Sequence, residues 1–514
     1  MGIILMFYSW YSSYPLSIVS LDDYIFNHIS VIYWFSLSLT LASIFMISVS
    51  SKSHSLKWIM TISLVVTVYS LSYFYYMVPG SDSQYFRGLN EYFIKTKDLN
   101  PLKPEYKYFQ WHSYFQWPSF FLLTDIATSV TGLDLMNFEF LLYTIIGFLI
   151  ATALYAYFSK ACRNSSFLAV AAFFVAMFYF LNYQCVPFSL AFGLLLLLFM
   201  LETKQKNIST LLTMLLLYTC MSFVHLFVPL LFVLYLLMRS ILNKSELYGR
   251  LFVLTLILWL IVQIAQAPYS FLQNIENVIG LKTEFAKVVE ATMAPVSVPI
   301  DVVAQMFSRP VTIATVAICL VGFVILLIKR KLSDLDKAIF MTGAAYSAVG
   351  SIVYVLGSRA IPIVFIPISL GAMYLSKGKF SKYIASLFLV LLILFTFIPL
   401  HSAFYDSTIM FQTKEAYLME NFMIDRYNWT RDSLILAHFR VITYLKTKQV
   451  SSVNFENDRN SPLFPRINEY DSIVYTVGLG KNLLRYNYTT ERILSEEKFN
   501  VVYNNGFSYI ATKS

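Results

Sequence analysis

Apolar runs long enough to cross the hydrocarbon core as helices, about 17–25 residues each, alternate along this chain with short polar clusters. The pattern predicts spans at 29–49, 58–77, 137–158, 167–183, 186–201, 208–224, 226–238, 251–268, 311–328, 338–357, 360–375 and 383–400. That makes about twelve, with residues 1–20 either a further span or a surface segment. Helices are expected because a lone helix satisfies its own backbone in lipid, whereas an open sheet leaves its edges unpaired. The fold class that follows is an all-α polytopic membrane bundle of about twelve helices carrying a small C-terminal extracytoplasmic α/β domain.

The polar clusters assign the sides. Alternate connections are basic: Lys52 and Lys57; Lys160 and Arg163; Lys204 and Lys206; Arg239, Lys244 and Arg250. The series continues with Lys329, Arg330, Lys331 and Lys337, then Lys377, Lys379 and Lys382. Only Glu202, Glu246, Asp334 and Asp336 oppose them. Short Lys/Arg-rich loops stay cytoplasmic, so residues 79–117, 269–310 and the tail from His401 are expected outside. The chain divides into a multi-span domain, 1–400, and an extracytoplasmic domain, 401–514. In the tail, strands are predicted at 433–437, 453–455, 472–477, 500–503 and 507–511, with helices at 439–446 and 491–498. Asn504-Asn505-Gly506 marks a hairpin between the last two strands.

Composition agrees. The chain is 58% apolar and 13% charged, against roughly 25% charged for a soluble domain, and its mean hydropathy is +0.63. A net charge of +9 would suit nucleic acid if gathered on a soluble face. It sits in the short connections instead, so no nucleic-acid partner is expected. Cys162, Cys185, Cys220 and Cys319 fall in or beside apolar runs at unrelated spacings and read as small buried hydrophobes. Residues 2–11 are apolar but have no basic flank or clear cleavage site, so they do not read as a removable signal peptide. Of the sequons at Asn164, Asn207, Asn243, Asn428 and Asn487, only the last two fall on the outer side.

Candidate chemistry collects at the outer ends of the spans. Asp82 follows directly on a span, either as a carboxylate at headgroup level or as the cap of a helix over 83–93. Tyr108 through Trp117, including His112 and Tyr114, is dense in aromatics. Such a run serves either as an interfacial belt or as a platform for sugar rings and isoprenoid chains. Residues 119–132 are amphipathic and too short to span, and are expected to lie along the interface. Glu139, Gln184, His225, Arg309 and Arg359 fall at the same membrane level.

Four stretches make the chain resemble the GT-C superfamily of integral membrane glycosyltransferases, which use polyprenyl- or dolichyl-phosphate-linked sugars. Gly80-Ser81-Asp82 resembles the family's catalytic acid position at the head of the first large outer loop. Trp117 to Leu123, followed by Thr131-Gly132-Leu133-Asp134, resembles its apolar interfacial helices, which end in a Gly-Leu turn. Tyr183 to Leu190 resembles the turn before a Leu-rich span in prokaryotic members, and the outer tail with Tyr503-Asn504-Asn505-Gly506 is also similar. Many metal-dependent members carry a paired acid in the first loop. Gln84 stands in the second place here, so a tightly bound divalent metal is not favoured, and Asp82 with Glu139 or Asp301 would be the acids to hold one.

The resemblance implies an inverting transfer from a lipid-phosphate sugar to an acceptor glycan, lipid or protein. Asp82 is then the base. Arg359, with Arg309 and Arg87 behind it, faces the carrier phosphate, and Gln84, His112 and His225 orient hydroxyls. Tyr114, Trp117 and Gln184 complete the expected substrate contacts. The competing expectations are a transporter or flippase of lipid-linked glycans, and a polysaccharide polymerase or ligase. The polar residues lie at outer ends rather than the midplane, and no internal repeat is visible, which disfavours a transporter.

Overall fold

The computed structural model describes residues 2–13, 30–74, 81–97, 117–161, 165–181, 186–202, 207–266, 310–352, 361–377 and 381–395, with short strand segments between 433 and 513. The helices are α1 (Gly2–Ser13), α2 (Val31–Ser50), α3 (His54–Phe74), α4 (Ser81–Thr96), α5 (Ser119–Thr131), α6 (Leu135–Ala161), α7 (Ser166–Leu181) and α8 (Pro187–Glu202). They continue as α9 (Ile208–Val224), α10 (Val228–Asn243), α11 (Glu246–Gln266), α12 (Pro310–Ile328), α13 (Asp334–Ile352), α14 (Ile361–Leu375) and α15 (Ser381–Phe395). Each of the twelve expected apolar runs contains a helix. Among the described residues, α2, α6, α11 and α12 are long and apolar enough to cross a membrane. The shorter apolar helices run 10–17 residues; sixteen residues rise about 24 Å, against a hydrocarbon core of about 30 Å.

Two helices organise the interior. α6 packs against α3, α7 and α8, and α14 packs against α7, α12 and α13. α14 buries most of its length, including Pro367 inside the helix. It meets α12 through glycines. A Cβ added at Gly371 would lie 2.0 Å from the Cys319 carbonyl, and one at Gly322 only 2.2 Å from the Gly371 carbonyl. Backbones approach this closely only where side chains are absent, which is how helices pack when no water is available to drive them together. Outward faces are apolar: Val253, Leu254, Ile257, Ile261 and Ile264 of α11 are all exposed. A stripe of that kind suits lipid.

Local chemistry explains the boundaries. The Asn207 side chain accepts from the Thr210 N–H at 2.8 Å and starts α9, so this sequon residue is a helix cap. α11 begins five residues before its apolar run, on an exposed first turn where Arg250 bonds Glu246 at 2.5 Å. α1 lies against α2, with the Thr40 hydroxyl facing Met6 Sδ at 3.7 Å. Its twelve residues reach only about 18 Å.

In the tail, β1 (Ser433–Leu436), β2 (Val453–Asn454), β3 (Ser472–Thr476), β4 (Phe499–Asn504) and β5 (Ser508–Lys513) form one sheet in the order β2-β1-β3-β5-β4. β1 pairs in parallel with both β2 and β3, whereas β5 runs antiparallel to β3 and β4. β4 and β5 pair on either side of Asn505-Gly506, which lie outside the described residues, with a register irregularity between Val501 and Tyr503. The expected tail helices at 439–446 and 491–498 lie outside the described residues.

Candidate functional site

α4 carries the acid singled out in the sequence. The helix begins at Ser81, two residues before the expected start, so Asp82 occupies the first turn rather than the cap. The side chains of Asp82 and Gln84 lie outside the described residues, as do His112, Tyr114, Gln184, Arg309, Arg359 and Asp301.

One turn further along, α4 is fastened to its neighbours. Arg87 donates from Nε at 2.7 Å and from Nη2 at 2.5 Å to Oε2 of Glu139, in the first turns of α6. Both side chains are buried, at 0% and 3% exposure. Phe86 meets the edge of Phe120 at 6.0 Å and also contacts Phe121, both from α5. At the far end, Lys97 bonds Asp125 of α5 at 2.5 Å. α4 is thus held on two sides. A buried pair loses much of its attraction to desolvation, so this one is better read as fixing position than as adding stability.

α5 covers the segment expected to lie along the interface, and it is amphipathic as that expectation requires. Phe120, Phe121 and Thr124 face inward, while Leu122, Leu123, Ile126 and Val130 are exposed. The Gly132 turn that closes it has a local explanation. Gly132 adopts φ +68, the left-handed conformation that glycine takes most easily. Asp134 then accepts from the Asn137 N–H at 2.8 Å to start α6. This part of the resemblance is a helix stop followed by a helix start.

Trp117, at the head of α5, is buried at 5% exposure and does not form an open platform. Its indole N–H donates to Oε1 of Gln263 in α11 at 2.9 Å. Leu226, Phe227 and Trp259 pack beside it, and Trp259 donates to the Leu226 carbonyl at 3.0 Å. His225 is buried where α9 ends, and its Nδ1 accepts from the backbone N–H groups of Phe227 and Val228 at 3.1 and 3.4 Å. The neutral ring therefore carries its proton on Nε2. His225 is a turn-forming residue first.

Two residues were missed in the sequence. Asn90 sits three positions after Arg87, 1% exposed, and its amide has no hydrogen-bond partner among the described residues. Gln263 is fully buried. A carboxamide amid Phe86, Leu89 and Phe93 on the inward face of a short helix is the signal that would have found Asn90, since buried polar groups call for partners.

The acids near the basic connections are engaged. Glu202 meets Arg239 at 3.0 Å and accepts from the Tyr248 hydroxyl. Asp336 takes the Tyr157 hydroxyl and the Ser333 N–H. Among the described residues, no group of three or more His, Cys, Asp or Glu could hold a metal ion. No protein-family model matches the chain, and no curated protein matches it.

Proposed function

We propose that this chain is a multi-span membrane glycosyltransferase of about twelve helices. It moves a sugar from a polyprenyl- or dolichyl-phosphate carrier to an acceptor hydroxyl on the face opposite the basic connections. That face is extracytoplasmic, and the tail sheet belongs to an α/β domain on the same side. The observation that carries the reading is the clamping of α4, which begins with an acid and is held by Glu139 and by the α5 aromatics. A general base must be fixed relative to the bond it serves.

In the reaction, the acceptor oxygen bonds the anomeric carbon as that carbon's bond to the carrier phosphate breaks. The acceptor proton passes to the Asp82 carboxylate, the electron pair leaves with the lipid phosphate, and configuration inverts. Arg359 and Arg309 stabilise the departing phosphate. Gln84, His112, Tyr114 and Gln184 contact hydroxyls, and Asn90 joins them as a donor and acceptor. Arg87, Trp117 and His225 act as positioning residues through Glu139, Gln263 and the start of α10.

The test uses purified protein, a polyprenyl phosphate carrying a labelled sugar, and a panel of hydroxyl acceptors. Asp82→Asn is expected to lower transfer on the order of 10²–10⁴-fold with an unchanged thermal midpoint, and Arg359→Ala to weaken donor binding. Full activity of Asp82→Asn would remove the base. Carrier movement across the bilayer without sugar release would favour a flippase.

A further inference from the structure

The turn between α12 and α13 holds three cations that, among the described residues, no carboxylate pairs with. Asp334 pairs with Lys337 at 2.8 Å, and Asp336 is occupied by Ser333 and Tyr157. Lys329, Arg330 and Lys331 are exposed, and among the described residues none of them forms a salt bridge. Yet the first and third converge. Lys329 Nζ lies 5.5 Å and Lys331 Nζ 5.8 Å from the ring centroid of one tyrosine, Tyr374, near the end of α14.

Backbone geometry produces the convergence. The Lys331 N–H bonds the Leu326 carbonyl at 3.0 Å and the Arg330 N–H bonds the Leu327 carbonyl at 2.9 Å. That is the Schellman closure of a helix, and it puts its penultimate residue in the left-handed region, where glycine is usual. Here that residue is Arg330, at φ +52. A non-glycine residue pays roughly 1 kcal/mol for this conformation. The chain thus keeps a third cation at a strained position between two others.

The surface leading to this turn is apolar. Leu320, Val324, Leu327 and Ile328 form an exposed column on α12, with Ile328 76% exposed. A column of apolar side chains ending in these cations matches one kind of occupant, which has a hydrocarbon chain and an anionic head. We propose that Lys329, Arg330, Lys331 and Tyr374 bind the phosphate headgroup of an anionic phospholipid in the leaflet at the basic end, with its acyl chain along α12. The proposal rests on the chain lying in a bilayer and is independent of sugar transfer.

Native mass spectrometry of the purified full-length protein tests it, with phosphatidylglycerol titrated against phosphatidylcholine of the same acyl chains. Each cation near an anionic surface changes affinity roughly five-fold. Wild type is expected to retain phosphatidylglycerol preferentially. The double variant Lys329→Ala with Lys331→Ala should bind it roughly 25-fold more weakly while phosphatidylcholine is unaffected. Arg330→Gly should weaken it roughly five-fold while the thermal midpoint holds or rises, because glycine relieves the strained turn. Equal retention of the two lipids by wild type would overturn the proposal, as would unchanged phosphatidylglycerol binding by the double variant. Displacement of the lipid by millimolar inorganic phosphate would mean a free-anion site and would overturn the lipid assignment.

Discussion

Arg87→Ala is expected to cost roughly 3–5 kcal/mol and to collapse the yield of folded protein. The substitution takes from the Glu139 side chain, 3% exposed, the guanidinium that bonds it twice. Removing one partner of a buried pair generally costs more than removing both, because burial makes the loss of a counter-ion expensive. Arg87→Met combined with Glu139→Leu should therefore recover most of the lost stability. The thermal midpoint of the solubilised protein, followed by size-exclusion chromatography, separates these outcomes. An unchanged midpoint for Arg87→Ala would show that the pair does not hold α4.

The second large effect lies in the bundle's interior. Gly371→Leu should yield no folded protein, and Gly371→Ala should lose about 3 kcal/mol or more, at the upper end for overpacked cores. The added Cβ would meet the Cys319 carbonyl at 2.0 Å and the Phe323 nitrogen at 2.5 Å. Both are backbone atoms of α12, so no rotamer change relieves the overlap and the two helices must separate. The same size-exclusion measurement checks it. A Gly371→Leu protein with a wild-type midpoint would contradict the close crossing of α12 and α14.

The helices were largely legible because hydropathy is a local property. The run at 208–224 coincides with α9 at both ends, since Asn207 and His225 mark its limits. Where boundaries moved, polar turns had extended an apolar run: α11 starts at Glu246 and α13 at Asp334, before their runs begin. The strands of the hairpin around Asn504-Asn505-Gly506 were legible for the same reason, because turn chemistry is written in neighbouring residues.

The candidate site was less so. Arg87 stands in the sequence as a candidate for the carrier phosphate behind Arg359 and Arg309. Its partner lies 52 positions away, a separation over which the sequence pattern gives no pairing signal. Trp117 belongs to a run that reads as either an interfacial belt or a substrate platform; Gln263, 146 positions on, accepts its N–H inside the bundle. The contact of Gly322 with Gly371 was hidden likewise, since a glycine in an apolar helix carries no mark of what it faces. Asn90 was passed over as one polar residue on a polar helix.

Transfer measured separately on the two faces of sealed proteoliposomes tests the account at its centre. The bilayer carries a polyprenyl phosphate with a labelled sugar, the acceptor is membrane-impermeant, and orientation is read from labelling of a cysteine introduced by Lys244→Cys in a basic connection. Labelled product is expected only where the face opposite that connection meets the acceptor. Product formed at the basic face, or no product at either face with any carrier sugar, would contradict it.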